Sequence, residues 1–137
     1  MYVTLERNNL PEAVVRLELT SSGFASSIYL SRLIHTTSET TGVALVNLSD
    51  TDTRVDFTSY NDDGSLAVIP SSATNPFRTI VPAHNQVTYL PSQLFGVNYR
   101  LSSGWMEIIS DRPGMAAFFQ AFDPQLNAMD GAEIFHK

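Results

Sequence analysis

Two sets of side chains in this chain are suited to chemistry. One is the three histidines His35, His84 and His136; the other is four aspartates set in two bends, Asp50 with Asp52 and Asp62 with Asp63. Imidazole can ligate a metal or move a proton near neutral pH. These histidines stand neither four apart, as on a helix, nor at alternate positions of one strand. Any joint site would therefore have to be assembled from distant loops. The glycine patterns of a nucleophile elbow or a phosphate-cradling loop are missing. Calcium needs about six to eight hard oxygens. Asp50 and Asp52 supply carboxylates and Asn47 could add a carbonyl, but the dense spacing of an EF-hand loop is absent. The plainer reading of all four aspartates is turn chemistry, because Asp and Asn bond their own backbone and tolerate left-handed conformations. Neither a catalytic residue nor a cofactor is expected, and the chain reads as a non-enzyme.

The aromatic residues offer a different chemistry. Exposed aromatic faces hold sugars, and Trp105, Tyr60 and Tyr99 are the candidates for such contacts, with Tyr29 and Tyr89 as further rings. The competing reading is core filling. Strand alternation puts Trp105 on one face with Glu107 and Ile109, opposite Met106 and Ile108. Glu107 argues that this face is outward and Ile109 argues the reverse, so the pattern leaves Trp105 open. Phe118, Phe119 and Phe122 make another strand apolar on both faces. Any surplus there would be a docking surface for a neighbouring domain or a second copy. Asn47-Leu48-Ser49 is formally a glycosylation sequon.

Composition narrows the partners. The 137 residues carry a net charge of -6, with eight scattered Lys and Arg. Phosphate binding needs clustered cations, so nucleic acid and anionic membranes are disfavoured. No apolar run approaches the ~18 residues that span a bilayer, so membrane insertion is not expected. There is no cysteine, which excludes disulfides and thiolate chemistry. The opening residues lack the basic end and apolar stretch of a signal peptide. That leaves a cytoplasmic protein, or a mature piece of an exported one. The length suits a single domain over 1–137, able to bury roughly two thirds of its unfolded surface.

Short elements must position these residues. Residues 13–20 alternate with period two, Val15, Leu17 and Leu19 against Arg16 and Glu18, which is the mark of a half-buried strand. Strands are also expected over 28–34, 42–47, 54–60, 65–69, 77–81, 86–90, 105–110, 115–122 and 132–135. The run 42–47 is apolar enough for a central strand, and Val55 and Phe57 should face inward. Asn61-Asp62-Asp63-Gly64 is the clearest hairpin turn, because Gly64 accepts positive φ at little cost. Pro91 to Phe95 reads as one helical turn, started by proline and stopped by Gly96. About nine or ten short strands, spaced by roughly eight to twelve residues, predict an all-β fold: an antiparallel β-sandwich of immunoglobulin-like or jelly-roll kind. The terminal strands would be edges open to pairing with a second copy.

The order T-G-V-A-L-V-N (41–47), Y-N-D-D-G (60–64), I-V-P-A-H-N-Q-V (80–87), L-P-S-Q-L-F-G (90–96) and G-W-M-E-I-I-S-D-R-P (104–113) resembles a tandem-type β-sandwich module of bacterial secreted and cell-surface proteins. The resemblance covers about Tyr29 to Gly131. Asn61 stands where that pattern often has Asp, and Glu107 where it often has Arg. The matched residues are scaffold residues. The resemblance implies an extracellular or surface-attached structural or interaction module with no known active site. A carbohydrate- or calcium-dependent binding module is the alternative, with a protein or a carbohydrate as the partner.

Overall fold

The computed structural model describes residues 2–7, 10–16, 26–125 and 128–133. Among them the elements run β1 (Tyr2–Arg7), β2 (Leu10–Arg16), β3 (Ser27–Leu30), β4 (Thr40–Asn47), β5 (Thr53–Asn61), β6 (Phe77–Val81), β7 (Gln86–Tyr89), α1 (Pro91–Phe95), β8 (Gly104–Ser110), β9 (Met115–Phe122) and β10 (Ala128–Glu133). The strands form two four-stranded sheets, β10-β9-β4-β7 and β3-β8-β5-β6, and β1 pairs with β2 as a separate hairpin. All the pairings are antiparallel. The fold is all-β, with two sheets sharing one core. His136 and the ends of two expected strands, 17–20 and 134–135, lie outside the described residues.

Alternation explains the core. In β5, Val55 and Phe57 are completely buried (0% exposed) while Arg54 between its neighbours points to solvent. In β8, Met106 and Ile108 face the same interior. The other sheet answers with Val43 and Leu45 from β4 and with Met115, Ala117 and Phe119 from β9. Burying each such side chain contributes about 1.5–3 kcal/mol, and together they hold the two layers face to face. The strand β4 is central, between β9 and β7, as its apolar run predicts.

Two expected strands differ. The run 28–34 is a strand only to Leu30. Beyond it the backbone crosses the end of β8: Leu33 N donates to the Gly104 carbonyl at 2.8 Å, and His35 exchanges bonds with Leu101 at 2.8 and 3.0 Å. The run 65–69 does not return as a strand, although the turn before it forms. Gly64 has φ +83° and its N–H donates to the Asn61 carbonyl. The return is confined to a single bridge of Leu66 to Tyr60, flanked by bonds from Asn61 N to the Ser65 carbonyl at 2.9 Å and from Ala67 N to the Ser59 carbonyl at 3.0 Å. Where that short pairing stops, the edge is closed by the side chain of Asn75. Its Oδ1 accepts from Ser59 N at 3.0 Å, and its Nδ2 donates to the carbonyls of Ser59 at 2.9 Å and Ala67 at 3.3 Å. One amide therefore completes an edge that the short backbone pairing covers only in part.

The helical turn forms where expected. Pro91 occupies its first turn, the Gln93 Oε1 accepts from Leu90 N at 2.7 Å, and Gly96 follows with φ +96°. Asn47 closes the end of β4. It is fully buried, its Nδ2 donates to the carbonyls of Thr51 at 2.8 Å and Val81 at 3.0 Å, and its Oδ1 accepts from Ser49 N and Oγ. With its amide thus engaged inside the protein, the sequon at Asn47 offers no accessible nitrogen to a glycan.

Candidate ligand-binding face

The outer face of the β3-β8-β5-β6 sheet gathers the aromatic residues. Because β8 buries Met106 and Ile108, the alternate residues Trp105, Glu107 and Ile109 point out. Ile109, 43% exposed, proves to be a surface isoleucine. The apparent contradiction in the sequence is settled for the outward orientation of Trp105. The register then sets Tyr60 of β5 directly opposite Trp105, and Tyr29 of β3 opposite Glu107.

The three rings form a row. Tyr60 stacks on Trp105 with centroids 4.2 Å apart and planes 12° from parallel. Tyr29 packs near the indole, at 6.4 Å and 44°. Tyr29 is the most open of the three at 47% exposed, while Trp105 and Tyr60 are half-buried. The Tyr60 hydroxyl donates to Glu107 Oε2 at 3.2 Å. Desolvation and then the Glu107 carboxylate, which both repels a phenolate and holds the phenolic proton, raise the Tyr60 pKa above its ordinary value. Tyr60 therefore remains a hydroxyl donor at neutral pH. The facing sides of the Tyr60 and Trp105 rings cover each other, so the ring surface left open is chiefly that of Tyr29, set near a fixed hydroxyl and a carboxylate acceptor, an arrangement that can receive one apolar ring face and accept hydrogen bonds from hydroxyls.

Tyr99, the third ring suggested by the sequence, is not on this face. It lies in the core at 1% exposure, its hydroxyl 2.6 Å from Ser59 Oγ, its ring against Phe95 and stacked beside His35. Burial raises its pKa, partly offset by the Ser59 bond. It braces the sandwich and is unavailable to a ligand.

The aspartates are occupied locally. Asp50 Oδ1 meets His84 Nε2 at 2.9 Å on an exposed loop, and Asp52 Oδ1 accepts from Ala83 N at 3.0 Å. Asp63 Oδ1 accepts from both the backbone and the hydroxyl of Ser65, which lowers its pKa. Asp62 is exposed in the same turn. Among the described residues no three His, Asp or Glu side chains converge as a metal site would require. Both bends are held by aspartates bonding nearby backbone and side chains.

His35 touches a hydroxyl, with Nδ1 2.8 Å from Thr40 Oγ1. Here burial, and then the neighbouring positive charge of Arg100, lower the His35 pKa. The contact suits a structural bond at the β3–β4 crossing.

The sequence suggested Trp105 and Tyr60 as ligand contacts, and the structure brings them into one stack. Tyr29 was one of several further rings in the sequence, and neither it nor Glu107 could be placed beside that stack from the pattern. Pairing of β3 and β5 on either side of β8 creates that company, and nothing in the local pattern of either strand signals it.

Fold and face together define the class: a small all-β sandwich with an aromatic platform on one sheet. No family model matches this chain, and no curated protein matches it. Solved structures share its fold. A Thermotoga maritima protein, described only as 1070, superposes with a TM-score of 0.64 at 9% identity over 83% of this chain and 96% of its own. The Anabaena sensory rhodopsin transducer does so with a TM-score of 0.51 at 19% identity over 67% and 90%. At such identities the likeness is one of architecture. Among the described residues no helix is long and apolar enough to cross a membrane.

Proposed function

We propose that this protein is a non-catalytic binding module that takes a neutral carbohydrate on the Tyr29–Trp105–Tyr60 platform. The observation that carries the reading is the aromatic row on an outward sheet face, with Glu107 beside it. The C–H faces of a sugar ring are weakly positive and complement the negative face of an arene, which Tyr29, the most open ring, presents beside the Trp105–Tyr60 stack. Glu107 supplies an acceptor for sugar hydroxyls, and its charge, added to the net charge of -6, disfavours acidic glycans. A calcium-dependent mode draws less support, since Asp50, Asp52 and Asp63 already bond within the protein. The setting we propose is the one the sequence resemblance implies, a structural or interaction module of an exported bacterial protein.

The test is a titration followed by the emission of Trp105, the sole tryptophan, with neutral soluble glycans such as xylan and mixed-linkage glucan, with and without calcium. A saturable shift abolished in Trp105→Ala and weakened in Glu107→Gln supports the platform. Emission and calorimetry that stay flat across the panel would sink it and leave the bare structural module.

A further inference from the structure

The outer face of the other sheet, β10-β9-β4-β7, carries a second concavity of about 270 Å³. Its origin lies in residue size. β4 presents Gly42 and Ala44 on this face, paired with Gln120 and Phe118 of β9. These two small residues leave a floor that taller side chains would fill. Phe118 and Phe122 rise on one side and Leu90 stands on another. The fit is close, for a β-carbon at Gly42 would stand 2.8 Å from Phe122 Cε2.

Gln120 lines this cavity and is unusual. It points away from the core, yet only 5% of it is exposed, and its Oε1 is sealed from water with no hydrogen-bond partner. Buried amides are nearly always paired, because an unmade bond forfeits what water would have supplied. The last torsion of a glutamine is soft, so a modest rotation turns both amide atoms to the cavity. An amide offers one acceptor and two donors. Its natural complement is a partner with a donor and an acceptor side by side. The volume, just below the usual ligand range of about 300–1,000 Å³, suits one or two rings and excludes a glycan chain. The acidic charge of the protein disfavours a carboxylate.

We infer that this cavity binds a small, neutral, planar molecule whose apolar body rests on Gly42 and Ala44 between the phenylalanines, and whose amide-like edge pairs with Gln120. This site is independent of the aromatic platform, which lies on the other sheet.

The probe is 2-quinolone, a bicyclic lactam, compared with quinoline, which keeps the rings and lacks the lactam edge. Binding is read by amide-resolved NMR of the full chain. The expected result is saturable binding of 2-quinolone that moves the backbone signals of Gly42 and Ala44 and the side-chain NH₂ signals of Gln120. Quinoline should bind more weakly by on the order of tenfold, the worth of one well-made amide pair. In Gln120→Met that preference disappears. In Ala44→Leu, which fills the floor, both ligands are lost. Trp105→Ala leaves binding unchanged, which separates this site from the platform. No saturable binding up to the solubility limit overturns the inference. So does equal affinity for the two probes in the native chain, or binding indifferent to both the Gln120 and the Ala44 substitutions.

Discussion

The indole of Trp105 lies flat against the phenol ring of Tyr60, centroids 4.2 Å apart and planes 12° from parallel, across the β5–β8 ladder. The stack is the cross-strand pair that the register makes, and it leaves the chain's single tryptophan as a built-in reporter of this face. Stacked aromatic pairs contribute about 0.5–1.5 kcal/mol beyond their burial. Tyr60→Leu should shift the Trp105 emission to the red, increase its quenching by iodide and destabilise the protein by about 1 kcal/mol. Unchanged emission and quenching in that variant would mean the rings do not stack in solution.

Gly64 sits at φ +83° with open space around the position of a β-carbon. A substitution there meets no clash, so its cost is purely that of the backbone. Gly64→Ala should lose about 1–2 kcal/mol, and Gly64→Val more, because β-branched residues tolerate positive φ worst. Urea midpoints of the two variants check both the size and the order. Native-like midpoints would place the turn elsewhere.

Asn47 ties the β4–β5 bend to the end of β6 through one buried amide. Asn47→Leu keeps the volume roughly and removes every bond. It leaves the Val81 carbonyl without the amide and the Ser49 N–H short of a partner, while the Thr51 carbonyl keeps Ser49 Oγ and Thr53 Oγ1, so the loss should be about 2–3 kcal/mol. Asn47→Asp should also be costly, since a carboxylate cannot donate to the two carbonyls. Chemical denaturation of both variants tests the hub. A cost below about 1 kcal/mol for either would show that water replaces it.

His35 makes stability depend on pH, with a definite sign. Its folded pKa lies below the ordinary 6.5, by burial and then by the charge of Arg100. The unfolded chain therefore binds this proton more readily than the native one. The His35 contribution is fully present above pH 6.5, falls as the pH drops below that value, and levels off once the native state is also protonated. Comparing urea midpoints of the native chain and His35→Gln at descending pH isolates the effect. The gap between the two curves should narrow, or reverse, on acidification below pH 6.5. A constant gap would place His35 in ordinary solvent.

Gln120 predicts an unusual direction. Removing a buried amide oxygen that has no partner relieves a desolvation penalty without breaking a bond to that atom. Gln120→Met should thus stabilise the protein by about 1 kcal/mol, read as a rise in the thermal midpoint. A clear destabilisation would mean the amide is paired in solution, and would point to a water or ligand already seated there.

What could be read from the chain alone was whatever depends on neighbouring residues. The inward placement of Val55 and Phe57 follows from alternation, because successive side chains on a pleated strand point to opposite faces. The turn at Gly64 follows from the one residue that accepts its φ, and the helical turn at Pro91–Phe95 from proline at its start and glycine after its end. The all-β character came from the same local signals, repeated along the chain at short spacing.

What depended on distant residues could not be read. Trp105 carried conflicting neighbours, Glu107 and Ile109, and burial of Met106 and Ile108 against the other sheet resolved the conflict. Tyr60 and Tyr29 joined Trp105 because β8 pairs with β5 on one side and β3 on the other. That choice rests on the global fit of two hydrophobic layers, to which no single strand's pattern is sensitive. Tyr99 went into the core because its hydroxyl found Ser59, forty residues back in the chain. The expected strand over 65–69 stopped after one bridge, and Asn75 closed the rest of that edge because one side chain met three backbone groups at once. Period and turn chemistry are properties of the local backbone and are written in sequence. Register and strand order are set by which faces bury each other, and only the folded chain decides them.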